Sequence, residues 1–153
     1  RLNILITKTY GTWIVLGEIV STVAPNKLPL PVRPPAPMPQ APCGACTRCI
    51  DACPMGALRK DGFDKTRCLS FILQRKAEIS PEAKAAIRRV RSVFGCDICQ
   101  EACPHNANAA MSALPEFAAS IQPVFDEHTD LDGRSFAWRG SKILLRNLQI
   151  SRP

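Results

Sequence analysis

Residues 43–54 read Cys-Gly-Ala-Cys-Thr-Arg-Cys-Ile-Asp-Ala-Cys-Pro, so that Cys43, Cys46, Cys49 and Cys53 stand in a short run before Pro54. This C-x2-C-x2-C-x3-C-P spacing is that of bacterial ferredoxins with two clusters. In such proteins the first three thiolates bind one [4Fe–4S] cube, and the fourth binds the other cube. The stretch therefore predicts a domain with two iron–sulfur cubes.

A second motif further along the chain repeats this spacing without its first cysteine. It reads C-x2-C-x3-C-P and consists of Cys96, Cys99 and Cys103, with Pro104 after them. Cys68 is the remaining thiol and can take the vacant place. The expected ligand sets are therefore crossed, with four thiolates for each cube and none left over: Cys43, Cys46, Cys49 and Cys103 for the first, and Cys53, Cys68, Cys96 and Cys99 for the second.

Two other uses of eight cysteines stay open. Two zinc sites of four thiolates each would match the count, although zinc ribbons use separate C-x2-C knuckles. Disulfides would need an oxidising compartment, and the sequence contains no visible secretory signal. For two iron–sulfur cubes, the expected chemistry is one-electron transfer, and the expected location is a reducing cytoplasm.

The sequence around the cysteines divides into four parts. Residues 1–23 alternate apolar and polar side chains about a turn, which predicts a β-hairpin-like remnant of a larger domain. Residues 24–42 hold eight of the 14 prolines, which predicts an extended linker. Residues 43–110 form the expected double-cluster domain, and residues 111–153 a C-terminal loop and helix segment. The predicted fold class is α+β, a ferredoxin-like double [4Fe–4S] domain with short inserted helices.

Three helices are expected after the first motif. One covers Leu69–Lys76, which has apolar residues on one face. The next has Ser80 as its N-cap and Pro81 at its first position, runs to about Val93, and is ended by Gly95. The third is indicated by a group of apolar residues near the end of the chain: Ile143, Leu144, Leu145 and Leu148.

The chain is basic, with 20 Lys and Arg against 13 Asp and Glu. This balance suits nucleic acid, an anionic surface or an acidic partner protein. No apolar run is long enough to span a membrane, so a membrane partner is not expected. Basic side chains of the inserted helices and the C-terminal segment are the candidate RNA contacts: Arg75, Lys76, Arg88, Arg89, Arg139, Lys142 and Arg146. The alternative is that they form an ordinary solvated helix face.

Several strings of this sequence together resemble the epoxyqueuosine reductases. Residues 43–58 (CGACTRCIDACPMGAL), 64–73 (DKTRCLSFIL) and 94–106 (FGCDICQEACPHN) carry the resemblance within the cysteine-rich part. Residues 4–20 (ILITKTYGTWIVLGEIV) and 136–147 (FAWRGSKILLRN) extend it on both sides. The resemblance covers nearly the whole chain and is weakest in the proline-rich linker.

The resemblance implies an oxidoreductase of tRNA processing that reduces epoxyqueuosine to queuosine with electrons passed from the clusters to cobalamin. It implies that residues 1–23 end a cobalamin-binding domain and that residues 111–153 lead into helical repeats. By position in the motif, the residues near the cobalamin are Ser70, Gly95, Cys96 and Asp97. No catalytic residue is carried over, since the family's proton donor lies in an amino-terminal domain. The chain is therefore expected to be part of a longer enzyme and not catalytically complete alone.

The same resemblance implies tRNA and an electron donor such as ferredoxin or flavodoxin as partners, and a monomeric protein. Two alternatives remain. One is a stand-alone ferredoxin-like carrier, although free ferredoxins are usually acidic and this chain has a net charge of +7. The other is the cluster module of a different corrinoid reductase, such as a reductive dehalogenase.

Overall fold

The computed structural model describes residues 5–18, 20–24, 27, 43–119 and 121–152. Regular structure in this part of the chain is helical, with three 3-10 turns between the α-helices. The α-helices are α1 (Arg48–Asp51), α2 (Leu69–Gln74), α3 (Pro81–Val90), α4 (Ile98–Glu101), α5 (Pro115–Ala119) and α6 (Ser141–Ser151). The 3-10 turns are Lys65–Arg67, Pro104–Asn106 and Ala137–Arg139. No helix in the described residues is long and apolar enough to cross a membrane.

The apolar core lies where α2, α3 and α6 meet. On α3 the buried side chains Ala83, Ala86 and Ile87 lie on one face, as expected for an amphipathic helix. They pack with Leu69 and Leu73 of α2, which are 2% and 0% exposed. The buried members of this core are Met55, Leu69, Leu73, Ile79, Ala83, Ala86 and Ile87.

The two cysteine motifs have nearly the same local backbone. Helices α1 and α4 are each four residues long, and they pack against each other. The residues before them, Thr47 and Asp97, have similar dihedral angles, φ −121° and ψ 4° against φ −110° and ψ 10°. The residues after them, Ala52 and Ala102, are both right-handed helical. The repeated cysteine spacing is thus a repeated structural unit.

The expected hairpin in residues 1–23 is not confirmed. Residues 5–18 contain one antiparallel bridge, between Thr7 and Gly11, and no strand is present in the described part of the chain. Val15 and Val20 are each 97% exposed, so this stretch lacks a packed apolar face. The α+β class is therefore also unconfirmed. The predicted linker at 24–42 lies outside the described residues, except for Ala24 and Lys27.

The three expected helices are present with different ends. Helix α2 begins at Leu69 as predicted but ends at Gln74. Helix α3 has the predicted start, since the Ser80 hydroxyl accepts a hydrogen bond from the Ala83 amide at 3.3 Å. Its predicted end near Val93 is wrong, because Arg91 takes the left-handed conformation at φ 57° and stops the helix after Val90.

Candidate metal centre

Four cysteines from three segments converge in the structure. Burial, followed by the neighbouring thiols of Cys96, Cys53 and Cys68, raises the pKa of the Cys99 thiol to about 11. Burial likewise raises the pKa of Cys96, with smaller contributions from Cys68, Asp97 and Cys53. Because a Coulomb interaction weakens with distance, the influence of these thiols on Cys96 and Cys99 places them in one neighbourhood. The structure thus brings together the four residues expected for the second cube.

Local structure positions each of these thiols. Cys53 follows α1, and its sulfur accepts a hydrogen bond from the Ala57 amide at 3.2 Å. Cys68 ends the Lys65–Arg67 turn and is the residue before α2. Cys96 lies two residues before the start of α4. It follows Gly95, which has a φ of 74°, a conformation that favours glycine. Cys99 lies within α4 itself.

Two of the cysteines expected for the first cube lie in or beside α1 and α4, and the other two lie in the turn before α1. The Cys46 amide donates to the Cys43 carbonyl at 2.8 Å, which closes the turn before α1. Cys49 lies in α1, and Cys103 follows the last turn of α4. Both are buried, with 8% and 7% of their surface exposed. Because α1 packs against α4, Cys49 and Cys103 lie on adjoining elements although they are far apart in sequence.

The donor set is suited to iron–sulfur clusters. All eight cysteines are free, so none forms a disulfide. No group of three or more His, Cys, Asp or Glu side chains in the described residues is arranged to hold a single metal ion. In a cubane each thiolate binds a different iron, so the four ligands surround a cluster and need not be arranged about a single ion. Thiolate is also the ligand that iron–sulfur clusters use.

A cleft of about 1110 Å³ opens beside the second set. Cys53 and Cys96 lie at its wall, together with Gly95 and Asp97. Three of the four residues expected near a cobalamin, Gly95, Cys96 and Asp97, therefore share one cleft, whereas Ser70 is not among its lining residues. Ser70 instead accepts hydrogen bonds from the Gln74 amide group, 3.0 Å at its carbonyl and 3.5 Å at its hydroxyl.

Three aromatic side chains that line this cleft were not predicted from the sequence. The rings of Phe94 and Phe136 are 5.5 Å apart, and those of Phe125 and Phe136 are 6.2 Å apart. All three residues line the cleft. They come from three loops with no common periodicity, so no sequence pattern indicates that they meet.

The seven predicted RNA contacts do not form one uniform surface. Arg146 is half-buried and donates to the Ala77 carbonyl at 3.1 Å and to the Asn147 side chain at 2.9 Å. Arg89 donates to the Pro54 carbonyl at 3.1 Å, and the Arg139 guanidinium lies 4.1 Å from the Trp138 ring centroid. The remaining four side chains are exposed: Arg75, Lys76, Arg88 and Lys142. Arg146 therefore has a structural role in this fold.

Asn147 is a second structural residue that the sequence did not indicate. It is 0% exposed, and its amide donates to the carbonyls of Leu73 at 2.8 Å and Val93 at 2.9 Å. These bonds join α6 to the end of α2 and to the loop that leads to Gly95. A buried polar side chain has no hydropathy signature. The only signal in the sequence was therefore that Asn147 belongs to residues 136–147, one of the strings that carry the family resemblance.

The chain matches known proteins in this region and beyond it. The family model of a 4Fe-4S double cluster binding domain matches residues 42–106. An epoxyqueuosine reductase of Lactococcus garvieae is 34% identical, in an alignment that covers 95% of this chain and 42% of that protein. The solved structure of epoxyqueuosine reductase from Bacillus subtilis has a TM-score of 0.69 and 28% identity, covering 97% of this chain and 41% of the other.

A further solved structure is that of an epoxyqueuosine reductase with a tRNA-Tyr epoxyqueuosine-modified stem-loop. It has a TM-score of 0.57 and 29% identity, and covers 78% of this chain and 34% of that one. This chain thus spans about two fifths of the length of the relatives it matches. The repeated cysteine motif and a likeness that extends over almost all of its residues place the chain in the epoxyqueuosine reductase family.

Proposed function

We propose that this chain is the electron-transfer module of an epoxyqueuosine reductase, passing electrons through two [4Fe–4S] cubes toward a cobalamin. The observation that carries the proposal is the convergence of Cys53, Cys68, Cys96 and Cys99 in a chain that contains a 4Fe-4S double cluster binding domain. The complete enzyme reduces epoxyqueuosine in tRNA to queuosine.

The ligands are two crossed sets of four thiolates. Cys43, Cys46, Cys49 and Cys103 hold the first cube, and Cys53, Cys68, Cys96 and Cys99 hold the second. The packing of α1 against α4 supports this division, because it brings Cys103 next to the first motif. The Ala57 amide would stabilise the cluster-bound thiolate of Cys53, since its hydrogen bond to the sulfur offsets negative charge there.

The cleft beside the second cube is the proposed path to the cobalamin. Bound cobalamin would supply the low-valent metal chemistry that acts on the epoxide. Gly95, Cys96 and Asp97 would form the wall between the second cube and that cofactor, because they line the cleft and carry a ligand of the cube. The aromatic rings that line the same cleft would limit the access of water to this region.

Two partners follow from the proposal. A small redox protein, a ferredoxin or a flavodoxin, would supply single electrons to the clusters. A tRNA anticodon stem-loop would carry the substrate base, which is supported by the relative solved with such a stem-loop and by the chain's net charge of +7. The catalytic acid is not assigned to any residue of this chain.

Metal analysis after anaerobic reconstitution tests the module directly. We expect about eight iron and eight sulfide per chain, and EPR signals from two interacting reduced cubes after treatment with dithionite. About two zinc with no sulfide would contradict the proposal. In the protein extended to the length of its relatives, reduced clusters should convert epoxyqueuosine-containing tRNA, and loss of conversion in a Cys68→Ala variant would link that activity to the second cube.

A further inference from the structure

An exposed phenylalanine on α2 lies between two cations. Phe71 is 38% exposed, whereas Leu69 and Leu73 on the same short helix are in the core. The Lys65 ammonium is 5.9 Å from the centroid of the Phe71 ring, and the Arg75 guanidinium carbon is 5.7 Å from it. We call these three side chains the Phe71 surface.

Both cation–ring distances are near the outer limit of about 6 Å for such contacts. At exposed sites such contacts are weak. The two cations can therefore turn toward a ligand at little cost, and the partly exposed ring is accessible from solvent.

The charge around the Phe71 surface is positive. The stretch from Lys65 to Lys76 has four basic residues and no acidic one, and the flanking Asp64 carboxylate accepts hydrogen bonds from the Thr66 amide and hydroxyl. On the neighbouring helix α3, Glu82 is engaged by Arg67 at 3.0 Å. Neither Lys65 nor Arg75 has an ion pair with an acidic side chain of the described residues. The local potential thus favours an anionic ligand.

We propose that the Phe71 surface is a contact site for a single-stranded RNA loop, in which a base stacks on the Phe71 ring while Lys65 and Arg75 bind the flanking phosphates. Aromatic rings bordered by cations are how proteins bind unpaired nucleotides. An acidic protein partner would use the two cations but has no base to stack on the ring. The inference rests on the proposed function in taking a tRNA anticodon loop as the ligand.

The first test measures the affinity of the cluster-loaded chain for a labelled anticodon stem-loop of a tyrosine tRNA by fluorescence anisotropy. Stacking contributes about 1–3 kcal/mol per base, so the Kd of Phe71→Leu should be about 5-fold to 150-fold larger than that of the wild type. Phe71→Trp keeps an aromatic face and should retain the wild-type Kd within about 3-fold. The matched control is Phe117→Leu, at a phenylalanine on α5 that is 60% exposed.

The second test uses salt dependence. Removing one phosphate-binding cation should reduce the slope of log K against log salt by about 0.7 for a single strand. The variant Lys65→Gln with Arg75→Gln should therefore reduce the slope by about 1.4, whereas Phe71→Leu should leave the slope unchanged. A fully double-stranded RNA probe should show no difference between Phe71→Leu and wild type, because its bases are already stacked.

Three outcomes would overturn the inference. They are no binding of the stem-loop by the wild-type chain, equal affinities for Phe71→Leu and Phe117→Leu, or an effect of neutralising Lys65 and Arg75 with none from Phe71. The last would make the surface a plain electrostatic contact. Iron and sulfide are measured in the same samples. A chain with full clusters and an unchanged Kd in Phe71→Leu refutes this site alone, whereas a chain without clusters refutes the proposed function.

Discussion

The side-chain amide of Asn147 donates a hydrogen bond of 2.9 Å to the carbonyl of Val93. Val93 lies in the loop between α3 and Cys96, and Asn147 is a fully buried residue of α6. The same amide also holds the Leu73 carbonyl at the end of α2. The C-terminal helix thus fixes the two segments that deliver Cys68 and Cys96 to the second ligand set, although it supplies no ligand itself.

Replacing Asn147 should therefore destabilise the module. In Asn147→Leu the carbonyls of Leu73 and Val93 lose their donor, and each buried unsatisfied group costs about 1–3 kcal/mol. We expect a fall of about 2–5 kcal/mol in the free energy of unfolding, measured by denaturant titration of the reconstituted chain under anaerobic conditions. Gln149→Leu, at an exposed position of the same helix, is the control and should change it by less than about 0.5 kcal/mol. Equal effects of both variants would contradict the assigned role.

A second long-range connection joins the N-terminal segment to the second cysteine motif. The Thr12 amide donates to the Asn106 side-chain oxygen at 2.7 Å, and the Thr12 hydroxyl donates to the Gln100 side chain at 3.0 Å. Thr12 is 1% exposed. Next to it, Gly11 has a φ of 55°, and a Cβ there would lie 2.7 Å from the His105 carbonyl. The turn is thus docked closely against the residues after Cys103.

Asn106→Ala should release this turn. The buried Thr12 amide would lose its acceptor, at a cost of about 1–3 kcal/mol. Local opening should then become about 5-fold to 150-fold more frequent, and trypsin cleavage after Lys8 should accelerate in proportion when opening is fast. Asn108→Ala, at an exposed neighbouring position, is the control. An unchanged cleavage rate in Asn106→Ala would show that these hydrogen bonds do not hold the segment.

The end of α3 gives a prediction of increased stability, whereas the two variants above should be less stable. Arg91 is the only non-glycine residue with positive φ in the described part of the chain, at 57°. Glycine adopts this conformation without a clash of its Cβ, so Arg91→Gly should stabilise the chain by up to about 1 kcal/mol. Ala85→Gly, at an exposed interior position of α3, should instead destabilise it by about 1 kcal/mol. Thermal unfolding of both variants measures the difference, and a lower Tm for Arg91→Gly would refute the argument.

The elements that the sequence predicted are those fixed by local chemistry. The predicted start of α3 follows from the Ser80 cap and Pro81. Helices α1 and α4 were not predicted, although their similar backbone matches the repeat in cysteine spacing that the sequence shows. The residues that were missed act at long range: Asn147 binds a carbonyl in α2, and Thr12 binds Asn106. Such partners cannot be assigned from periodicity. The predicted hairpin is not confirmed, because the alternating side chains of this stretch form one bridge, between Thr7 and Gly11, and no strand in the described residues.

The crossed assignment of the ligands can be tested with two double variants that carry the same number of thiols. If Cys53 and Cys68 belong to one set, the double variant Cys53→Ala, Cys68→Ala leaves the ligands of the other cube complete. We then expect about four iron per chain and an EPR signal from one isolated reduced [4Fe–4S] cube. Cys68→Ala with Cys103→Ala then breaks both sets, and neither intact cube should remain. An uncrossed assignment, with each motif holding its own cube, predicts the reverse for both variants. Circular dichroism of the two proteins checks that both retain the helices, and the proximity of Cys53 and Cys68 to Cys99 favours the first result.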